Sequence, residues 1–99
     1  MGSARPKPAR LAEKLLAVRN SLNGGVSQNE LIRLMHLENE LEQERISKYE
    51  RGVPEPPLYV LVAYADVANV YVEVLIKDDL DLPESLPSRK KSEGIKRQK

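Results

Sequence analysis

Side chains that could take part in chemistry are concentrated between Ser27 and Gly52, in the stretch SQNELIRLMHLENELEQERISKYERG. This stretch contains the chain's one histidine, His36, and alternate glutamates at positions 38, 40, 42 and 44. Carboxylates and an imidazole can act as general acids and bases, but no acid and base have a distinctive spacing here, and one histidine cannot form a metal cluster alone. We therefore expect no enzyme, no catalytic residue, no metal site and no cofactor. The acidic run is interpreted as a solvated face, and His36 as a polar residue that closes a helix.

The composition indicates one small domain. The 99 residues allow a modest core, and the absence of cysteine excludes disulfides and thiolate metal sites. The N-terminal residues MGSARPKPAR lack the apolar run of a secretory signal. Residues 58–76 approach the length of a membrane span, but Asp66, Asn69 and Glu73 interrupt them, which favours two short buried segments. We therefore expect a cytoplasmic protein that does not enter a membrane.

Charge is distributed unevenly along the chain, although the net charge is only +1. Residues 1–10 carry +3 and residues 88–99 carry +5, which leaves −7 for residues 11–87. The middle of the chain is therefore acidic and both ends are basic. Composition divides the chain into three parts: a flexible basic arm at residues 1–7, a folded domain at residues 8–82 and a basic, disordered tail at residues 83–99.

Two helices are predicted before residue 38. The first has an apolar face with helical spacing, formed by Leu11, Leu15, Val18 and Leu22. Asn23-Gly24-Gly25 supplies residues that tolerate the left-handed conformation at a helix end. Ser27 and Glu30 form a capping box, which marks the start of the second helix. This helix is expected to end near His36 or Leu37.

Three more helices are predicted after residue 40. The third runs from Leu41 or Gln43 to Arg51, with Ile46 and Tyr49 facing inward. The proline-rich residues 53–57 separate it from a fourth helix, which Asn69 ends. The buried face of the fourth helix is expected to consist of Leu58, Leu61, Val62 and Ala65. Residues 71–76 have the β-branched composition of a strand, but no convincing partner strand exists, so a short fifth helix is expected. The predicted fold class is all-α.

These features follow one another in a recognisable order. Ser27-Gln28 opens a capped helix, Ile46-Ser47 leads into Tyr49-Glu50-Arg51-Gly52, a proline follows at 54 or 56, and an apolar helix ends at Ala68-Asn69-Val70. This order resembles the Cro and lambda-repressor-like helix-turn-helix family, also called the Xre family, from about Leu11 to Ile76. The resemblance implies a compact bundle of about five short helices, containing a helix-turn-helix, with flexible basic ends. It also implies binding to double-stranded DNA.

The resemblance implies particular DNA contacts. Gln28 would brace a phosphate, and the start of the third helix would enter the major groove. Its base-facing candidates are Gln43, Glu44, Arg45 and Lys48. Backbone contacts are implied for Ser47 and Arg51, and Glu50 would hold the loop after the third helix by a hydrogen bond or an ion pair.

The connection between the second and third helices departs from the family pattern. Leu31 and Ile46 are 15 positions apart, which exceeds the usual family spacing by about one helical turn of roughly four residues. Two explanations remain open: the turn between the helices is longer, or the third helix starts earlier. Either would change the docking angle and the positions that read bases.

The glutamates in this connection oppose DNA binding, because affinity for DNA comes largely from phosphate neutralisation. Glu42 could point to solvent or cap the third helix, and Glu44 could accept a hydrogen bond from cytosine N4 beside Arg45. The basic ends could offset the remaining cost. Arg5, Lys7 and Arg10 form a candidate minor-groove arm, and residues 88–99 could bind phosphates non-specifically. The alternative for each end is a solvated terminus.

The leading hypothesis is a sequence-specific DNA-binding transcriptional regulator, a repressor, which reads the major groove as a homodimer. It would associate with the nucleoid when bound. The second hypothesis is a protein-interaction module with weak or no DNA binding, such as an antitoxin-like or scaffold component. Its partner would contact the acidic face or residues 78–87, where Leu80, Leu82 and Leu86 are candidate contacts for a partner or a dimer. A third is a small nucleic-acid chaperone driven by the basic ends.

Overall fold

The computed structural model describes residues 8–96 of the chain. Within this part the order of elements is α1 (Leu11–Ser21), α2 (Gln28–Leu34), α3 (Gln43–Glu50), α4 (Leu58–Ala68), α5 (Glu73–Ile76), β1 (Leu80–Asp81) and β2 (Ile95–Lys96). The expected small, mainly helical bundle is confirmed, and the ambiguous segment at residues 71–76 does contain a short helix. The all-α class is corrected by a two-stranded antiparallel sheet, in which Leu80 lies opposite Lys96 and Asp81 opposite Ile95.

The core lies around α1, which contacts α3, α4 and α5, while α2 packs against α3. The four predicted apolar positions of α1 are all buried. They meet buried side chains from every other helix, including Leu31, Ile46, Tyr64 and Leu75. In the described part of the chain, no helix combines the length and the apolar character needed to cross a membrane.

The start and end of α2 follow directly from its sequence. The Ser27 hydroxyl accepts a hydrogen bond from the Glu30 backbone N–H at 3.0 Å, so this half of the predicted capping box is present. The Glu30 carboxylate itself is paired with Arg33 in the next turn of the helix. The helix ends at Leu34, and His36 adopts a left-handed conformation with a φ of 59°. An exposed His36 therefore follows the helix end, within two residues of the predicted position.

A turn of eight residues connects α2 to α3, because α2 ends at Leu34 and α3 starts at Gln43. This turn, residues 35–42, is called the acidic turn below. Its two leucines face the core: Leu41 is buried and Leu37 is partly buried against it. The Leu41 backbone N–H donates to the Leu37 carbonyl at 2.9 Å. The glutamates at 38, 40 and 42 are all exposed, so the alternation of Leu and Glu fixes which side of the turn faces solvent. Glu42 precedes α3 without capping it through its side chain.

The buried face of α4 differs from the prediction at two of its four positions. Leu61 and Ala65 are buried as expected, but Leu58 and Val62 are 68% and 40% exposed. The face that packs inward also contains Val60, Tyr64 and Ala68. Ten of the eleven residues of α4 are apolar or aromatic, so periodicity could not identify the inner face. Its end was predictable: Asn69 is left-handed, with a φ of 56°, and terminates the helix.

The expected boundary of the domain at residue 82 is not where packing ends. Leu86 is buried, and its carbonyl accepts a hydrogen bond from the Asn23 backbone N–H at 3.0 Å. Further along, the Tyr71 N–H donates to the Ser92 carbonyl at 2.9 Å, and β2 pairs with β1. The prediction of a disordered tail from residue 83 is therefore corrected as far as residue 96. It relied on charge composition, whereas these anchors are mostly backbone groups that composition does not reveal.

Polar contacts join the start of α1 to the end of α5. No side chain caps α1 from its own N-cap position. Instead, the Asp78 carboxylate accepts hydrogen bonds from the backbone N–H groups of Ala9 and Arg10, at 3.0 and 3.2 Å. In the other direction, the buried Lys14 ammonium donates to the carbonyls of Val74 and Lys77, at 2.8 and 2.7 Å. Each helix end thus satisfies backbone groups of the other.

This arrangement predicts that Asp78→Asn destabilises the protein in a pH-dependent way. Hydrogen bonds from Ala9 and then Arg10 lower the pKa of the Asp78 carboxyl. Because the pKa is lower in the folded state, the stabilisation is present at neutral pH and is lost as the pH falls through the folded-state value. Urea denaturation should show a less stable variant at pH 7 and a difference that closes at acidic pH. Asp79→Asn, a neighbouring exposed aspartate, is the control and should leave stability unchanged at both pH values.

Candidate nucleic-acid interface

Helix α3 has one buried and one solvent-facing side. Ile46 and Tyr49 are buried, as predicted. The spacing of three positions places them on the side that meets α1 and α2. The predicted contact residues of α3 divide into two groups by exposure. Gln43, Glu44, Arg45 and Arg51 are exposed, while Ser47 and Lys48 are half-buried. The six candidates therefore remain accessible from solvent on one short helix.

Several of these side chains already contact one another. The Arg51 guanidinium donates to the Ser47 hydroxyl at 2.6 Å. The Lys48 ammonium lies 4.0 Å from the Glu44 carboxylate, one turn away. Arg45 differs from both, because within residues 8–96 it forms no salt bridge and is exposed. Its guanidinium is consequently the most available cation of α3.

A buried polar network fixes α3 against α1 and α2. The Arg19 guanidinium donates to both carboxylate oxygens of Glu50, at 2.6 and 3.0 Å, and to the Val26 carbonyl at 3.1 Å. The Gln28 amide donates to the same carboxylate at 3.2 Å. The Glu50 and Arg19 side chains are only 7% and 19% exposed. The hydrogen bonds that Arg19 donates to the Glu50 carboxylate raise the pKa of the Arg19 guanidinium.

The partners of Glu50 differ from the expectation. Glu50 was expected to hold the loop after α3, but its hydrogen-bond partners lie on α1 and at the start of α2. The phosphate contact expected of Gln28 stays a prediction, and in this structure its amide donates to Glu50. Sequence reasoning did not identify Arg19 as a partner. The spacing of 31 residues between Arg19 and Glu50 carries no local signal, because only the packing of α1 on α3 brings them together.

A second contact joins the exposed starts of α2 and α3. The Asn29 side-chain amide donates to the Gln43 side-chain oxygen at 3.3 Å. Both residues are exposed, so the contact lies at the surface where a ligand could replace it. Sequence analysis did not single out Asn29. Its position directly after Gln28, in the first turn of α2, was the available signal.

The acidic turn lies beside the cations of α3. Glu40 and Glu42 line one shallow depression together with Glu44, Arg45 and Lys48. Three carboxylates and two cations therefore share this surface, which gives it a net negative charge at neutral pH. The arrangement opposes a polyanion at the edge of α3 that adjoins the turn.

The candidate arm is only partly covered by the structure. Arg5 and Lys7 lie outside the described residues. Arg10 belongs to the folded part: its guanidinium donates to the Asp78 carbonyl at 2.7 Å and pairs with the Asp81 carboxylate at 2.5 Å. Those contacts hold its side chain against the β1 end of the domain, so a groove-binding role for Arg10 would require that they break.

The candidate partner contacts at residues 78–87 pack mainly on their own domain. Leu86 is buried and forms a bridge with Leu22. Leu82 packs against the core, and Leu80 is half-buried in β1.

Comparison with known proteins supplies no relative: no family model, curated protein or solved structure matches the chain. The arrangement of α2, the acidic turn and α3 is thus the basis for assigning a function.

The buried network predicts a stability effect for Glu50→Gln. The substitution removes the charge that receives two hydrogen bonds from Arg19, and we expect it to lower the free energy of unfolding by about 2 kcal/mol. Urea denaturation at pH 7 would measure it. Glu44→Gln makes the same chemical change on the exposed side of α3 and should alter stability by less than about 0.5 kcal/mol. Equal effects of the two substitutions would contradict the assigned role of Glu50.

Proposed function

We propose that the protein is a sequence-specific DNA-binding regulator of transcription that reads the major groove with α3. The observation that supports this most is the combination of a rigidly held α3 and an outer face made of hydrogen-bonding side chains. The Arg19–Glu50–Gln28 network holds the helix relative to the start of α2, and Gln43, Arg45 and Lys48 remain accessible. An α-helix fits the major groove, where each base pair presents a distinct pattern of donors and acceptors.

The proposed contacts divide into reading and positioning contacts. Arg45 is suited to guanine, whose O6 and N7 accept both arms of a guanidinium, and Gln43 is suited to adenine. To make that contact, Gln43 would exchange its hydrogen bond with Asn29 for one to a base. Lys48 would read a base or neutralise a phosphate, while Ser47 and Arg51 would bind the backbone. These positioning contacts to the DNA backbone fix the register of the protein on the duplex without selecting a sequence.

One α3 makes few base contacts, so we propose that two copies bind a two-fold symmetric site. Recognition helices of a dimer lie about one helical turn of DNA apart, on the order of 34 Å. A bound dimer would cover its site and exclude other proteins from it, which is one way in which a repressor acts. The homodimer and the repressor role both rest on the DNA-binding proposal.

Arg45→Ala and Lys48→Ala should each weaken binding to a duplex selected from a random pool by the wild-type protein. If Arg45 contacts a base, its removal should also relax preference at one position of the site, by roughly 1–3 kcal/mol of discrimination. Fluorescence anisotropy with the selected duplex and its single-base variants would measure both. Lys77→Ala removes an exposed cation at the end of α5 and serves as the control.

Unchanged binding of both α3 variants would exclude α3 as the reading helix. Recovery of no motif by the wild-type protein, with weak binding that disappears on added salt, would exclude sequence-specific recognition altogether. The proposed two-fold dimer predicts a palindromic motif, and the spacing of its halves would define the distance between the two copies of α3. A directly repeated motif would instead indicate two copies arranged head to tail.

The acidic turn favours a second candidate, a module that binds a basic protein partner instead of DNA. Glu38, Glu40 and Glu42 are all exposed, and within residues 8–96 they form no salt bridge. An antitoxin-like or scaffold component would use such a surface. In that case the cations of α3 would contribute to local charge balance and would not read bases.

Glu40→Gln/Glu42→Gln distinguishes these candidates. If α3 reads DNA, removal of two carboxylates beside Arg45 and Lys48 should strengthen duplex binding several-fold at low salt, with a smaller gain as screening increases. Anisotropy titrations at two salt concentrations would measure this change. Unaltered affinity for the duplex would argue that the acidic turn points away from DNA. Glu38→Gln is the control, because Glu38 does not line the depression that contains Arg45.

A further inference from the structure

The C-terminal segment contains a closed loop, residues 88–92, which is called the basic loop here. Its first residue is held at the end of α4: the Ser88 backbone N–H donates to the Ala68 carbonyl at 3.0 Å, and the Asn69 side-chain amide donates to the Ser88 carbonyl at 2.7 Å. Its last residue is held beside the first. The Ser92 N–H donates to the Asn69 carbonyl at 3.1 Å, and the Ser92 carbonyl accepts from Tyr71 at 2.9 Å.

The residues between these anchors are three consecutive cations, Arg89, Lys90 and Lys91, all exposed. The Lys91 ammonium lies 4.6 Å from the centre of the Tyr71 ring, which is a cation–π contact. Arg89 and Lys90 form no salt bridge with any residue that the structure describes. Three consecutive like charges on a short loop repel one another, and within residues 8–96 the ring contact of Lys91 is the one recorded interaction of their charged groups. A polyanionic ligand would remove this repulsion.

The loop also has a fixed position relative to α2. Leu86, two residues before it, accepts a hydrogen bond from Asn23 in the connection that leads from α1 to the start of α2. Gln28 and Asn29 lie just beyond that connection. Leu86 therefore attaches the chain just before the basic loop to the connection between α1 and α2, and α2 begins directly after that connection.

We infer that the basic loop is a second DNA-contacting element, which binds phosphate groups of the duplex backbone through Arg89 and Lys90 without reading sequence. This inference rests on the proposed DNA-binding function and adds a site that α3 does not supply. It also explains how an acidic domain could bind a polyanion, because the cations lie on a rigid support away from the acidic turn in sequence. A loop that is already ordered loses little conformational freedom when it binds.

The test is the salt dependence of binding to a random-sequence duplex of several helical turns, measured by anisotropy. Each phosphate contact contributes about 0.9 to the slope of log affinity against log salt. The double variant Arg89→Gln/Lys90→Gln should therefore make the slope less steep, with a decrease in its magnitude of between about one and two. Its affinity for the duplex at physiological salt should fall on the order of tenfold. Lys77→Gln removes one cation elsewhere on the surface and should leave the slope unchanged.

A second variant tests whether the order of the loop matters. Asn69→Gly keeps a residue that tolerates the left-handed helix end and deletes only the hydrogen bond to Ser88, with no change in charge. If the loop acts as a rigid element, Asn69→Gly should weaken duplex binding by several-fold. Hydrogen exchange of the Ser88 and Ser92 amides would report whether the loop has lost its order. Unaltered binding by a variant with a disordered loop would mean that these cations act as a flexible charged chain, which would overturn the ordered-loop inference. Circular dichroism would establish that the variant remains folded.

The outcomes separate this inference from the proposed function. Loss of sequence selectivity in the Arg45 variant, with an unchanged salt slope in the loop variant, would overturn only the inference. A reduced slope in the loop variant, with no motif recovered by selection, would support the loop and overturn sequence-specific reading. Absence of duplex binding by the wild-type protein would overturn the loop as a duplex contact. The same conclusion would follow if the loop variant bound the duplex normally and lost affinity only for single-stranded RNA.

Discussion

The ion pair between Arg19 and Glu50 is the interaction on which the geometry of the candidate interface depends. Apolar packing holds α3 by Ile46 and Tyr49, which fixes the side that faces inward but allows the short helix some rotation. A bidentate guanidinium–carboxylate pair restricts that rotation, because both of its hydrogen bonds are directional. Gln28 adds the start of α2 to the same carboxylate. The pair lies close to Tyr64, whose burial raises its pKa and whose hydroxyl has no hydrogen-bond partner in the described structure.

The acidic turn shows how a local sequence pattern sets both packing and electrostatics. Leu37 and Leu41 must reach the core, so the alternate glutamates must face solvent, on a surface that also contains Arg45 and Lys48. The acidic turn therefore connects α2 to α3 and also changes the electric field at the start of α3. Its leucines stabilise the connection, whereas its carboxylates impose a cost on any approach by DNA. Deletion of the turn would remove both effects together, because the leucines and glutamates alternate along it.

Sequence patterns predicted the features that depend on neighbouring residues. The Ser27 cap, the left-handed stop at Asn69 and the inward face of α3 depend on backbone geometry within one or two turns, and each was found. The inner face of α4 was partly wrong, because a helix that is apolar all round has no periodic signal. The partners of Glu50 and the anchors of the basic loop were missed for a different reason. Both sets of contacts join residues that are distant in sequence, and the anchors of the basic loop are mostly backbone groups, which no residue type identifies.

If α3 reads DNA, the elements that select a sequence and the elements that supply affinity lie in different parts of this domain. Carboxylates beside the reading helix weaken every complex, including those with wrong sequences, whose stability comes almost entirely from phosphate contacts. A correct site adds hydrogen bonds between bases and side chains such as Arg45, and these are unavailable to a wrong site. Repulsion therefore lowers affinity for correct and wrong sites alike, and the base contacts alone set the difference between them, because specificity is a difference of affinities. The basic loop between Ser88 and Ser92, if it binds phosphates as inferred, would restore part of that affinity without adding selectivity.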